Sequence, residues 1–232
     1  MAEAGPDSGR HGDADSGPVP VLPGALRAWL GSVAALSVLV VALIGVMYAG
    51  HSESGRVDRW FVLPTDDRVR PPWLGVALAV DFLGEPLGAV LLVLAAVACC
   101  LVLRRPRAAV LVVAAVVLTT GTVMVIKSVV GRTIHGPENL SYPSGHTAFL
   151  TALALVGALV AVGRLGLGRA AGACLVFGAA LVAGAGMGWA QVALSAHYPT
   201  DTVGGWCTAL AVVPATAWLV DRVADAGRPA RR

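Results

Sequence analysis

The chain has 232 residues, 56% of them hydrophobic and only 13% charged, with a mean hydropathy of +0.75; a water-soluble domain carries about twice that share of charge. The formal net charge of +3 is too small to argue for nucleic acid. All four cysteines, Cys99, Cys100, Cys174 and Cys207, lie in apolar runs where a thiol acts as a small hydrophobe, so neither a disulfide framework nor a metal-binding spacing is indicated. Such a chain belongs in a bilayer, as one all-α domain without internal repeats.

Met1 to Gly24 are rich in Gly, Pro, Ser, Asp and Ala and have no apolar periodicity. Residues 1–25 are therefore expected to form a disordered cytoplasmic segment. They do not read as a signal peptide, because the stretch is acidic and contains Pro, and the apolar run behind it is long enough to stay in the membrane.

Six apolar runs follow, about Leu26 to Ala49, Leu74 to Leu103, Ala108 to Val130, Thr147 to Val162, Ala170 to Leu194 and Val203 to Val220. Each is near the ~20 residues that cross a bilayer, which predicts a six-transmembrane-helix bundle over residues 26–220 and a basic cytoplasmic tail over 221–232. The second run is overlong and carries Asp81 and Glu85 near Pro86. Its first part, through Gly84, reads as an interfacial or re-entrant lead-in. The fourth reaches spanning length only from Pro143.

With both termini inside, eleven Lys and Arg residues fall in cytoplasmic segments and six in outer ones. The bias predicts cytoplasmic termini. It also places the loop before Pro143 and the loop at His197 on one extracytoplasmic face.

Pro143-Ser144-Gly145-His146 opens the fourth run. A helix start there would present free backbone N–H groups, a ready site for an anion. Lys127 ends the third run, Arg132 follows it, and His197 and Asp201 mark the junction of the fifth and sixth. Taken singly, these residues also suit a helix cap, a snorkelling anchor and a capping pair. Together they put five polar groups on one face, where ionisable residues at membrane depth mark a site. Pro199 suits the first turn of a helix, which brings the Asp201 carboxylate within reach of the His197 imidazole. An imidazole so oriented can act as a nucleophile. Two histidines, one tied to an aspartate and one at an anion-binding helix end, fit phosphoryl transfer: one attacks phosphorus, the other protonates the leaving oxygen. No metal or other cofactor is needed, and no carboxylate cluster stands out to hold one.

Lys127, Pro143-Ser144-Gly145-His146, and His197 with Asp201 resemble the three-part signature of the type 2 phosphatidic acid phosphatase superfamily, whose integral-membrane members are six-helix lipid phosphatases. The resemblance covers roughly Lys127 to Gly205 by motif and the membrane portion by helix count. It implies that His197 is a nucleophile forming a phosphohistidine, Asp201 its orienting partner and His146 the acid for the leaving group, with Lys127, Ser144 and Gly145 binding phosphate. Two family arginines are absent. The Arg-Pro of the first motif is Ile134-His135 here, and the Ser-Arg of the third is Ala190-Gln191. Gln191 can still donate a hydrogen bond to phosphate, though without charge or a bidentate fork. Arg132 is expected to supply one lost cation, so that Arg132→Ala would cost activity on the order of a hundredfold as a transition-state donor.

The implied activity is metal-independent removal of phosphate from a membrane lipid phosphate or diphosphate, phosphatidate-like or polyprenyl, at the extracytoplasmic face. The implied partners are that lipid and the bilayer. Two alternatives keep the same site: a phosphotransferase passing the phosphoryl group to an acceptor other than water, and an idle relative that binds anionic lipid. Gly184, Gly186 and Gly188, with Gly204 and Gly205, read as close-packing positions. Trp60, Trp73 and Trp206 read as interfacial anchors. The loop from His51 to Pro72 is expected to cover the site or lie on the headgroups.

Overall fold

A computed structural model describes residues 20–62 and 69–227. Its helices are α1 (Arg27–Met47), α2 (Arg56–Val62), α3 (Trp73–Phe82), α4 (Pro86–Val102), α5 (Pro106–Val130), α6 (Gly145–Leu165), α7 (Arg169–Ala193) and α8 (Pro199–Ala226). There is no strand among the described residues, only an isolated bridge between Thr133 and Leu140. The helix boundaries follow from local chemistry. Pro86, Pro106 and Pro199 stand at the first position of α4, α5 and α8, where a missing N–H costs nothing. Gly131 and Gly166 close α5 and α6 at φ of +63° and +61°, the left-handed conformation that a side chain resists.

Five helices are long and apolar enough to cross a membrane, and α3 with α4 makes a sixth span bent by 63°. The expected six-span, all-α bundle is therefore the architecture. The overlong second run resolves into the bent pair, with Asp81 just before the break and Glu85 in it. α6 and α8 are the central helices; α6 packs on α5, α7 and α8, and α8 also touches α1. The core lies between them, built from residues such as Leu111, Leu155, Leu159, Val176, Val213 and Ala217. α1 and α5 turn outward with Leu36, Leu39, Leu43, Val46, Val117, Val125 and Val129 exposed, the surface that hydrocarbon covers.

Two boundaries differ from expectation. The segment 1–25 was expected to be disordered; residues 1–19 lie outside the described residues, but Val21 and Leu22 are buried and donate their N–H groups to the two carboxylate oxygens of Asp221. The sixth span runs to Ala226, not Val220, because Arg107 on α5 pairs with Asp221 and Asp225 and carries the helix on. This charged end is one end of α8; with 28 residues α8 is about 42 Å long, so its other end, at His197 and Asp201, is on the far side of the bundle. Residues from 228 onward lie outside the described residues.

The glycines act in different ways. Gly184 faces the Trp206 ring and Gly188 faces Thr202, whereas Gly186 has open space around it. Trp206 is not an interfacial anchor but a wedge between α7 and α8; its indole donates to the Ala180 carbonyl. Trp60 and Trp73 are exposed, as anchors would be. At Gly205 a Cβ would sit 2.3 Å from the Ser144 carbonyl oxygen, so only glycine lets α8 cross the start of α6. We therefore expect Gly205→Ala to destabilise the protein by roughly 1–3 kcal/mol. A melting temperature in detergent equal to that of the parent protein would contradict this contact.

Candidate active site

One end of the bundle gathers side chains from most of its helices and from the loops that join them. Ser144 caps α6, its hydroxyl accepting from the Thr147 N–H at 3.4 Å and from the Thr147 hydroxyl at 3.1 Å. The helix thus starts at Gly145, and Pro143, expected inside it, precedes the cap after a cis peptide bond. Gly145 and His146 occupy the first two helical positions, whose N–H groups have no partner within the helix. Ser144 itself is buried and its N–H donates to the Asp201 carbonyl at 2.9 Å, so its part is to shape the helix start.

His197 lies in the turn between α7 and α8, with its side chain 11% exposed. Its Nδ1 faces the Asp201 Oδ2 at 3.6 Å, longer than a hydrogen bond. Asp201 is fully buried; its Oδ2 accepts from the Tyr198 N–H at 3.1 Å, closing the first turn of α8. Burial depresses the His197 pKa and outweighs the Asp201 carboxylate, which favours the charged form; the charges of Lys127 and His146 depress it further. All three groups therefore lie within electrostatic range of one another at this end of the bundle. Lys127, half-buried at the end of α5, donates to the Leu140 carbonyl, which fixes its ammonium beside the loop that leads to Ser144.

Arg132, expected to bind phosphate, is placed otherwise. It is fully buried, with one nitrogen donating to the Asp201 Oδ1 and the Thr200 hydroxyl and another to the Asp58 Oδ2, each at 2.6 Å. Its guanidinium lies between the rings of Tyr48 and Tyr198, 4.1 and 4.4 Å from their centroids. No donor of this group is turned to a substrate; it holds Asp201, and through Asp201 the turn that carries His197. Asp58 in α2 is the counterpart that sequence reasoning missed. Burial pushes its carboxyl up, but hydrogen bonds from Thr200, Arg132 and the Gly55 N–H outweigh this and hold it below its ordinary value. Nothing in the His51 to Pro72 loop marks Asp58 above its other acidic residues. Its weight comes from the partner it meets.

Gln191 is also committed. Its amide donates to the Asp81 Oδ1, and the side chain is buried at the end of α7. Ile134, at the position of the other family arginine, is buried and apolar. The neighbouring His135 holds the Ser195 carbonyl at 2.7 Å and so ties the first-motif loop to the turn before His197.

The absence of a carboxylate cluster, expected from sequence, does not hold. The break between α3 and α4 brings Asp81 and Glu85 to His146, whose Nε2 lies 3.7 and 3.6 Å from their oxygens. One donor atom from each of these residues falls within 4.8 Å of the others, a spacing that could hold a cation. Both carboxylates were visible as charges in an apolar run, but their distance from His146 in sequence hid the contact.

The family model of the PAP2 superfamily matches residues 108–225, just over half of the chain. The chain belongs to the PAP2 superfamily. It is a multi-pass membrane phosphatase. The fold is similar to the "crystal structure of the first transmembrane PAP2 type phosphatidylglycerolphosphate phosphatase from Bacillus subtilis", at a TM-score of 0.55 and 20% identity, over 86% of this chain and 98% of that one. No protein of curated function matches the sequence. The PAP2 match begins at α5, so Asp58, Asp81 and Glu85 all lie outside it.

Breaking a buried charge pair leaves an uncompensated charge, at a cost of about 3–5 kcal/mol. We therefore expect Arg132→Ala and Asp58→Asn each to lower the melting temperature and to lose phosphatase activity together. A phosphate-binding Arg132 would instead leave Asp58→Asn nearly silent and raise KM in Arg132→Ala with no loss of stability.

Proposed function

We propose that the protein removes phosphate from a phosphorylated membrane lipid through a phosphohistidine on His197. The observation that carries this reading is the pairing of a buried, weakly basic His197, faced by Asp201, with His146 at a helix start within its electrostatic range. A neutral imidazole is the form that can attack. In the first step the free nitrogen of His197 forms a bond to phosphorus, the bond to the lipid oxygen breaks, and that oxygen takes a proton from His146. In the second step neutral His146 takes a proton from water, the hydroxide attacks phosphorus, and the P–N bond breaks to release phosphate and His197. Lys127 and the N–H groups of Gly145 and His146 hold the charge that develops on phosphate. This scheme moves protons and phosphoryl groups through histidine alone, and we propose that it runs without metal.

The bilayer setting and the named Bacillus relative, which acts on phosphatidylglycerolphosphate, support a lipid substrate. Phosphatidate-like and polyprenyl phosphates suit the same mouth, with the chain in hydrocarbon and the headgroup at the site. The basic residues Arg104, Arg105, Arg107 and Arg164 gather at the opposite end from the site, which supports cytoplasmic termini and an extracytoplasmic site.

Phosphate release from phosphatidate, a polyprenyl phosphate and a polyprenyl diphosphate, by purified protein in detergent with a chelator present, tests the reading. Release should vanish in His197→Ala, and labelled substrate should leave an acid-labile label on the parent protein. A lipid product that retains the label would mean transfer to another acceptor. Lipid binding without any turnover would mean an idle binder.

The depressed pKa of His197 sets the pH dependence. Its neutral form persists as pH falls past the ordinary histidine value of about 6.5 and is lost only through the lower, folded value. The acidic limb of kcat/KM should therefore lie below pH ~6.5. A limb at or above that value would remove His197 as the group that must be neutral.

A further inference from the structure

We infer that Asp81 and Glu85 are positioning residues for His146, and that Gln191 holds Asp81 in that role. The inference rests on the reading of His146 as the proton donor. Three observations carry it. The first is steric: a Cβ on Gly84 would lie 2.2 Å from Cδ2 of the His146 ring, so the α3–α4 break is packed directly against the imidazole and limits its swing. The second is polar. The His146 Nε2 is a buried atom with no hydrogen-bond partner, yet the Asp81 and Glu85 oxygens stand 3.7 and 3.6 Å from it. An N–H at that nitrogen meets negative charge, which leaves Nδ1 as the nitrogen able to give a proton to a substrate oxygen. Catalytic contacts of this kind are often loose before substrate binds.

The third is the chemistry of Gln191. An arginine there would pair with Asp81 and neutralise it, but an amide donates a hydrogen bond and leaves the carboxylate its full charge. The departure from the family pattern therefore does more than delete a phosphate ligand. It turns a fixed negative charge toward His146. Asp81 is 22% and Glu85 51% exposed in their side chains, so both carboxylates stay accessible to water beside His146. In the proposed scheme His146 gives a proton to the leaving oxygen and takes one from the attacking water, and the carboxylates beside Nε2 orient the ring for both transfers.

The same three side chains could hold a divalent cation instead. Leaving-group chemistry separates the two. An alkyl phosphate such as phosphatidate needs its oxygen protonated, whereas p-nitrophenyl phosphate leaves as a stable phenolate and does not. In a chelator, kcat on phosphatidate should fall on the order of tenfold or more in Asp81→Asn and in Glu85→Gln, and kcat on the aryl ester by less than about threefold. Asp81→Glu should regain much of the loss. Equal losses on both esters, or none on either, would overturn the inference. So would parent turnover that collapses in the chelator and returns with magnesium or manganese. The underlying reading fails separately, if His146→Ala shows no leaving-group dependence or His197→Ala stays active. If His146→Ala shows the dependence and the carboxylate variants do not, the inference alone falls.

Discussion

A guanidinium without access to water, held between two carboxylates and two tyrosine rings, is the contact on which the site end of this bundle depends. Taking three charges out of water costs several kcal/mol per ion, and only near-ideal geometry offsets it. Arg132 meets that demand with bonds of 2.6 Å to Asp58, Asp201 and Thr200, although its Nε has no partner. The three charges sum to one negative. What they tie together is more important than what they contribute to stability: α2, the loop after α5 and the first turn of α8 meet at this one side chain. His197 sits one turn from Asp201, so the position of this imidazole follows from a buried charge network.

The start of α6 depends on the same junction from the other side. The Ser144 N–H reaches the Asp201 carbonyl, and Gly205 lets the two backbones come close enough for that bond. Tyr142, just ahead, packs against Gly204 and donates its hydroxyl to the Val41 carbonyl of α1. Backbone contact of this kind sets the spacing of two helix starts more rigidly than side chains could. The start of α6 and the two histidines are thereby arranged at one end of the bundle before any ligand arrives, and such preorganisation is where most of a phosphoryl-transfer enzyme's advantage lies.

The charge at that end is unusual for a site meant for phosphate. With Arg132 enclosed, Ile134 apolar and Gln191 turned to Asp81, Lys127 is the remaining cation of the motif set, while Asp81 and Glu85 bring two carboxylates beside His146. The unpaired N–H groups at the start of α6 add partial positive charge at this end of the bundle.

The sequence by itself determined the membrane setting, the all-helical class and the six apolar runs, and it singled out His146, His197, Asp201 and Lys127, which the structure brings to one end of the bundle. It could do so because hydropathy is local and because the motif residues cluster within short stretches at helix ends. It also marked Gly184, Gly186, Gly188, Gly204 and Gly205 as packing positions, since small residues in a span have few other uses, although Gly186 meets open space. What only the tertiary structure decided were the contacts between distant segments. Arg132 reads as a free cation until Asp58, 74 residues away, is seen to enclose it. Gln191 reads as a weakened phosphate ligand until Asp81, 110 residues away, takes its amide. Asp81 and Glu85 read as marks of an interfacial or re-entrant lead-in, and only the 63° bend shows that they meet His146. In each case the side chain's chemistry was legible, but the charge it would meet was not, because a buried ionisable group takes its role from the partner that neutralises it.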